Sequence, residues 1–158
     1  DLCPFKPTHD AQIALANQGL VREMNFRTNQ MLGCHAYFLK HPERFLCSPF
    51  IRPEDSDAYQ GTADSLKLCG RSLGPRFMAR CITAYETASF DGNLLDIMDA
   101  PHGLRDRIHI DNKRLDPGFL DMITSCPMDC GGCKNCRALF SAASTRKPFT
   151  LRQYKDWI

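Results

Sequence analysis

The sequence predicts an α/β fold followed by a cysteine-rich carboxyl-terminal extension, and three observations lead there. Short apolar runs bounded by turn residues alternate with segments of helical period, the pattern of strands paired in parallel through helical crossovers. With 158 residues, 43% of them hydrophobic, the chain has the length of one domain able to bury a core. Four of the nine cysteines then crowd into the eleven residues from Cys126 to Cys136. The expected division is an α/β segment over residues 1–100 and the cysteine-rich extension over 101–158.

Taken in order, residues 9–24 carry Ile13, Leu15, Ala16, Leu20, Val21 and Met24 among polar neighbours, which predicts a helix with an irregularity at Gly19. Pro49-Phe50-Ile51 reads as a short strand, and Pro53 with the acids Glu54 and Asp55 suits the first turn of a short helix through Tyr59. Ser65-Leu66-Lys67-Leu68-Cys69 is the next strand candidate. After Gly70-Arg71 and Gly74-Pro75, the residues Phe77, Met78, Cys81, Ile82 and Tyr85 mark one helical face. Ile108 and Ile110 predict a further strand, with Leu115 beyond it, and Phe119 to Ile123 an apolar helix that runs into the cysteines.

The net charge of +2 is too small to imply a nucleic-acid partner. No stretch approaches the roughly 20 apolar residues of a membrane helix, and no charged start followed by an apolar run marks a signal peptide. An odd count of nine cysteines fits metal sites in a reducing compartment better than a secreted disulfide framework, so a cytoplasmic protein is expected. The chain opens at Asp1-Leu2-Cys3-Pro4 without a methionine, which reads as a fragment or a processed piece.

The run Cys126-Pro-Met-Asp-Cys130-Gly-Gly-Cys133-Lys-Asn-Cys136 has the spacing C-x3-C-x2-C-x2-C. Glycines between the inner cysteines allow a tight turn to bring several sulfurs to one point, as a thiolate-bound iron–sulfur cluster of the 4Fe–4S kind requires. Zinc also accepts four thiolates, usually from two knuckles separated by a longer spacer. Disulfides between such near neighbours would be strained, and free thiols are the remaining alternative. Cys126, Cys130 and Cys133 also match the cysteine spacing of radical S-adenosylmethionine enzymes, but Gly132 stands where those carry an aromatic residue.

A second, dispersed set comprises Cys3, Cys34, Cys47, Cys69 and Cys81. Cys81, on the apolar face of its helix, reads as a small buried hydrophobe. Cys3 and Cys34 lie at segment ends, and Cys47 and Cys69 flank predicted strands, positions from which ligands can converge on one cluster. Where strands alternate with helices, the loops after the strands are the places for chemistry. Arg52, Glu54 and Asp55 follow the first strand and Lys67 and Arg71 belong to the second, so these five are the candidate catalytic residues. They bind an anionic substrate or form structural ion pairs, arginine being the better clamp for a carboxylate or phosphate.

Cys3-Pro4 with His9 six residues on, then Phe50-Ile51-Arg52-Pro53-Glu54-Asp55, then Leu66-Lys67-Leu68-Cys69-Gly70-Arg71 ahead of a helix ending near Tyr85, resembles the collagenase-like peptidase family, the U-thirty-two group. Asp91-Gly92-Asn93-Leu94-Leu95 and Ile110-Asp111-Asn112-Lys113 resemble a branch of it with a cysteine-rich end. The resemblance covers most of the chain. It implies the later strands of a TIM-barrel-like domain, since a whole barrel takes about 250 residues. A second chain or an amino-terminal half would complete it. It also implies an iron–sulfur cluster near the barrel mouth, held by Cys3 and Cys34 with Cys47 or Cys69, so that one or two clusters are expected in all. Some members take part in oxygen-independent hydroxylation of RNA bases or of a quinone precursor.

Two activities follow as expectations. A redox or hydroxylating enzyme uses the cysteines most fully, whereas a peptidase needs an activated nucleophile or a metal-bound water, and no H-E-x-x-H or G-x-S-x-G motif is present. A non-catalytic iron–sulfur or zinc-binding partner subunit is the third reading. Phe149, Leu151, Tyr154 and Trp157 near the end read as core packing or a docking helix.

Overall fold

The computed structural model describes residues 10, 11, 14, 15, 17–19, 34–47 and 50–146. Cys3, His9 and the aromatics Phe149, Tyr154 and Trp157 lie outside the described residues. The chain divides into two compact units, residues 1–48 and 49–158, and the expected boundary near residue 100 falls inside the second.

In the first unit, residues 10, 11, 14, 15 and 17 are helical and Gly19 takes φ +72°, the left-handed conformation that ends a helix, at the irregularity the sequence predicts. Helix α1 spans Cys34–Lys40. It stops there because His41 precedes Pro42, whose ring disfavours helical geometry in the residue before it. Pro42–Cys47 continues as a 3-10 turn. The Phe38 ring stacks on Phe45 at 4.5 Å, and Phe45 and Leu46 are buried.

The second unit opens with a 3-10 turn over Pro53–Tyr59, with Pro53 at its start and both acids in its first turn. Its reach to Tyr59 is the one expected, in a tighter winding. Helix α2, Pro75–Glu86, starts behind Gly74 and Pro75 and buries Phe77, Cys81 and Ala84, a spacing of four and three that keeps one face inward. Ile82, assigned to that face from the sequence, is 43% exposed. Five residues from Phe77, it has rotated past the seam that Cys81 occupies.

Strand β1 is Ile108–Ile110, strand β2 is Ser144–Arg146, and they pair antiparallel with Ile108 opposite Arg146 and Ile110 opposite Ser144. Ile108 and Ile110 point into the core while His109 between them is half-buried, the alternation of a one-sided strand. Helix α3, Phe119–Thr124, follows β1, and helix α4, Asn135–Ala143, leads straight into β2. Leu94, Leu95, Leu104, Leu115, Phe119, Phe140 and Ala143 complete the core around β1.

Phe50-Ile51 and Ser65–Cys69 were expected as strands and are not. Both run without helix or ladder, and among the described residues the one sheet is the antiparallel β1–β2 pair. A period-two run specifies which face is apolar, but a ladder forms only where a second edge arrives. Ile51 instead uses its carbonyl to accept from the Tyr85 hydroxyl at 2.5 Å.

Gly70 has φ +97°, and a Cβ there would lie 2.2 Å from Cε1 of Phe77. Gly70→Ala is therefore expected to destabilise the fold by about 2–4 kcal/mol, backbone strain and overpacking combined. Gly61→Ala, at φ +76° with nothing within 4 Å, should cost only the backbone part, about 1 kcal/mol. Urea denaturation of both variants checks this, and equal losses would remove the packing role given to Gly70.

Candidate functional site

Two places in the second unit gather chemistry-bearing side chains. The first grows from the Pro53–Tyr59 turn. Arg52, immediately before it, is 3% exposed and pairs with Asp55 through two hydrogen bonds, Nε to Oδ2 at 2.7 Å and Nη2 to Oδ1 at 2.9 Å. Nη2 also donates to the carbonyl of Asp116 at 3.4 Å, and the guanidinium lies 5.0 Å from the centre of the Phe119 ring. Arg52 thus joins the turn to the start of α3, and its fork is engaged by protein rather than open to a ligand.

Glu54 faces the other way. Its Oε1 accepts from the Phe90 backbone N–H at 2.9 Å, from Nδ2 of Asn112 at 2.8 Å and from Nζ of Lys113 at 3.1 Å, while Oε2 accepts from Asn112 at 2.9 Å. Lys113 donates also to the Ser89 hydroxyl at 2.6 Å, and Asn112 to the Phe90 carbonyl at 2.8 Å. Burial by itself would push the Glu54 carboxyl up. The bonds from Asn112, the backbone N–H groups of Phe90 and of Glu54 itself, and Lys113 outweigh it, so the pKa falls below its ordinary 4.5. A carboxylate held ionised in this way is a weak base and no proton donor near neutrality. The Tyr85 phenol is pushed up to about 12, first by burial and then by the charges of Cys81 and Glu54, so it stays a donor.

Asn93 and Asn112, which stand within the Asp91–Leu95 and Ile110–Lys113 motifs, organise this region. Asn93 Nδ2 donates to the carbonyls of Arg105 at 3.0 Å and Ile108 at 2.9 Å, and its Oδ1 accepts from the N–H groups of Leu95 at 3.3 Å and Ile110 at 3.0 Å. The backbone N–H of Asn112 bonds the Gly92 carbonyl at 3.0 Å. The two motifs Asp91–Leu95 and Ile110–Lys113 therefore meet in space. An asparagine in each was the available signal, because one amide can satisfy backbone groups of both polarities. Asn112 Oδ1 is the buried side-chain polar atom without a partner among the described residues.

Of the five residues predicted as catalytic, the fold brings Arg52, Glu54 and Asp55 together. Lys67 and Arg71 are exposed, and their side chains pair with no other described residue. Of the four predicted cofactor ligands, Cys3 and the Cys34 side chain are outside the described residues. Cys47, half-buried, donates weakly to the Glu43 carbonyl at 3.9 Å in the first unit, and Cys69 is exposed in the second.

The second place is the cysteine run between α3 and α4. Helix α3 ends at Thr124, where Ser125 caps it through its N–H and hydroxyl to the Asp121 carbonyl at 3.0 and 2.6 Å. Pro127 prevents any continuation. Met128 takes φ +60°, donates its N–H to Sγ of Cys126 at 3.4 Å and accepts from the Cys130 N–H at 3.0 Å. Cys136 lies in the first turn of α4. All four cysteines are free thiols; Cys133 is exposed and the other three are half-buried. Four thiols with room to turn suit a thiophilic metal, but they are not yet gathered. Among the described residues no group of three or more His, Cys, Asp or Glu side chains stands close enough to hold one.

Two tests follow from the first cluster. The stabilisation from Glu54 is fully present above 4.5 and is lost as pH falls through its depressed folded value. Glu54→Gln should cost about 1–3 kcal/mol at pH 7 and flatten the acid side of a stability–pH curve measured by urea midpoints; an unchanged acid limb would remove this role. Asp55→Ala, which strands the buried Arg52 guanidinium, should cost about 3–5 kcal/mol by the same measurement.

No helix among the described residues is long and apolar enough to cross a membrane. No protein-family model matches the chain, and no solved structure does. Among curated proteins it is 33% identical over 142 residues to one of Methanocaldococcus jannaschii named an uncharacterized protease. The match takes in 89% of this chain and 42% of that protein, so the chain spans less than half the length of its relative. More than half of that protein lies outside the match.

Proposed function

We propose that this chain is part of an iron–sulfur protein of the collagenase-like peptidase kind, with Cys126, Cys130, Cys133 and Cys136 holding a 4Fe–4S cluster. The observation that carries this is where the cysteines sit. Cys81 shows what a cysteine used as packing looks like here: it is 2% exposed in the core. None of the four in the run is buried and none is bridged. Such a cluster of accessible thiols has no packing role to justify it, and thiolate coordination gives it one. A bound cluster would supply one-electron chemistry. That suits a redox or oxygen-independent hydroxylating enzyme whose barrel is completed by residues outside this chain or by a second chain. Lys67 and Arg71, exposed and without a side-chain partner among the described residues, are the candidate cations for an anionic substrate that the sequence motifs point to, since Arg52 is held by Asp55.

Hydrolysis is the second reading, favoured by the name given to the Methanocaldococcus jannaschii relative. The chain's own residues offer it less. His102, half-buried, places Nδ1 3.1 Å from the Leu95 carbonyl and its ring edge-on to Phe77 at 4.9 Å, a packing arrangement.

Anaerobic purification with iron, sulfide and zinc quantitation separates these readings. About four irons and four sulfides per chain, an electron paramagnetic resonance signal on reduction and loss of both in Cys130→Ser are expected. A colourless protein with stoichiometric zinc would overturn the cluster.

A further inference from the structure

We infer that the Cys126–Cys130 half of the run is the pre-set half of the metal site, with the backbone N–H of Met128 as the donor that orients and stabilises the Cys126 sulfur once it is bound. This rests on the metal reading above and adds to it a positioning residue and an order of assembly. Two hydrogen bonds made by one residue define the hook. Met128 N–H reaches Sγ of Cys126 at 3.4 Å, and its carbonyl accepts from Cys130 N–H at 3.0 Å. Between them Met128 takes φ +60°, a conformation that side chains larger than glycine avoid, and this angle sets how the Cys126 and Cys130 ends of the hook lie relative to each other. Pro127 limits the path into it by fixing its own φ.

A neutral thiol is a weak acceptor. When a thiol binds metal its proton leaves to solvent, the sulfur becomes anionic, and an N–H already aimed at it becomes a charge-assisted bond. The Met128 contact therefore gains strength on loading, and outer donors of this kind tune metal affinity and potential. The other half of the site enters from a different element. Cys136 is fixed in the first turn of α4, whose Phe140 and Ala143 are in the core. Between the two halves stand Gly131 and Gly132; a Cβ on Gly132 would meet nothing within 4 Å and one on Gly131 only Asp129 Oδ1 at 3.6 Å. The open arrangement of the sulfurs is thus closed by moving this glycine link while the hook and the helix keep their form.

The test uses the reduced, metal-free chain titrated anaerobically with cobalt(II), whose thiolate charge-transfer bands report sulfur ligation directly. Met128→Val, a β-branched residue at positive φ, should weaken cobalt binding roughly five- to thirtyfold. Met128→Gly, which keeps the N–H and suits the turn, should bind at least as tightly as the parent. In the zinc-loaded chain the Met128 amide should exchange with solvent roughly tenfold more slowly than in the metal-free chain, a change that a purely structural turn would not show. Equal cobalt affinity of Met128→Val and parent, or an unprotected Met128 amide in the loaded chain, overturns the hook. A parent chain that takes up neither cobalt nor iron overturns the metal reading itself.

Discussion

The carboxylate of Glu54 is the constraint on which the second unit depends. It takes hydrogen bonds from a turn backbone at Phe90, from Asn112 at the end of β1 and from Lys113 beyond it. These partners are separated from it by 36 to 59 positions in the chain, so one side chain closes three long loops. Its neighbour Asp55 holds Arg52 on the opposite side of the same turn, and Arg52 reaches the cap of α3. The Pro53–Tyr59 turn is therefore a two-sided clamp: one acid grips β1 and the other, through arginine, grips the helix after it. The charges cancel locally, which lets the groups be buried without leaving an unpaired ion.

The cost is visible at Asn112. Its amide nitrogen serves Glu54 and Phe90, while Oδ1 is buried with no donor among the described residues. Turning the amide over would place that oxygen against the Glu54 carboxylate, a repulsion in a poorly solvated place, so the orphaned acceptor is the smaller penalty. Asn93 shows the contrasting case, with all of its bonds made to backbone groups. Together the two asparagines fasten β1 on its loop side, and β2 covers its remaining edge.

The cysteine run hangs between elements that this framework holds. Helix α3 begins where Arg52 is anchored, and α4 leads into β2 and hence onto β1. The Ala143 carbonyl at the end of α4 accepts the Asp111 N–H at 2.8 Å, one residue from Asn112. The ends of the run are thus tied to the core while its middle is glycine and surface. Such a segment can bring sulfurs together without disturbing the packing that defines the unit.

Part of this was legible in the residues. The start of α2 at Gly74-Pro75 and its buried Phe77 and Cys81, the strand at Ile108 and Ile110, the helix from Phe119 and the reach of the turn to Tyr59 all follow from caps, proline positions and periods that act over a few residues. The spacing of Cys126, Cys130, Cys133 and Cys136 is likewise a local fact, and it alone suggests a metal. Other features needed the tertiary structure: that Arg52 is consumed by Asp55, that Ile82 turns outward, that Ser65–Cys69 finds no ladder, and that Asn112 reaches Glu54 across 58 positions. Periodicity and capping are settled within about one helical turn, so the sequence by itself determines them. Which polar group meets which partner depends on how distant loops close around a shared core, and that only the tertiary structure decides.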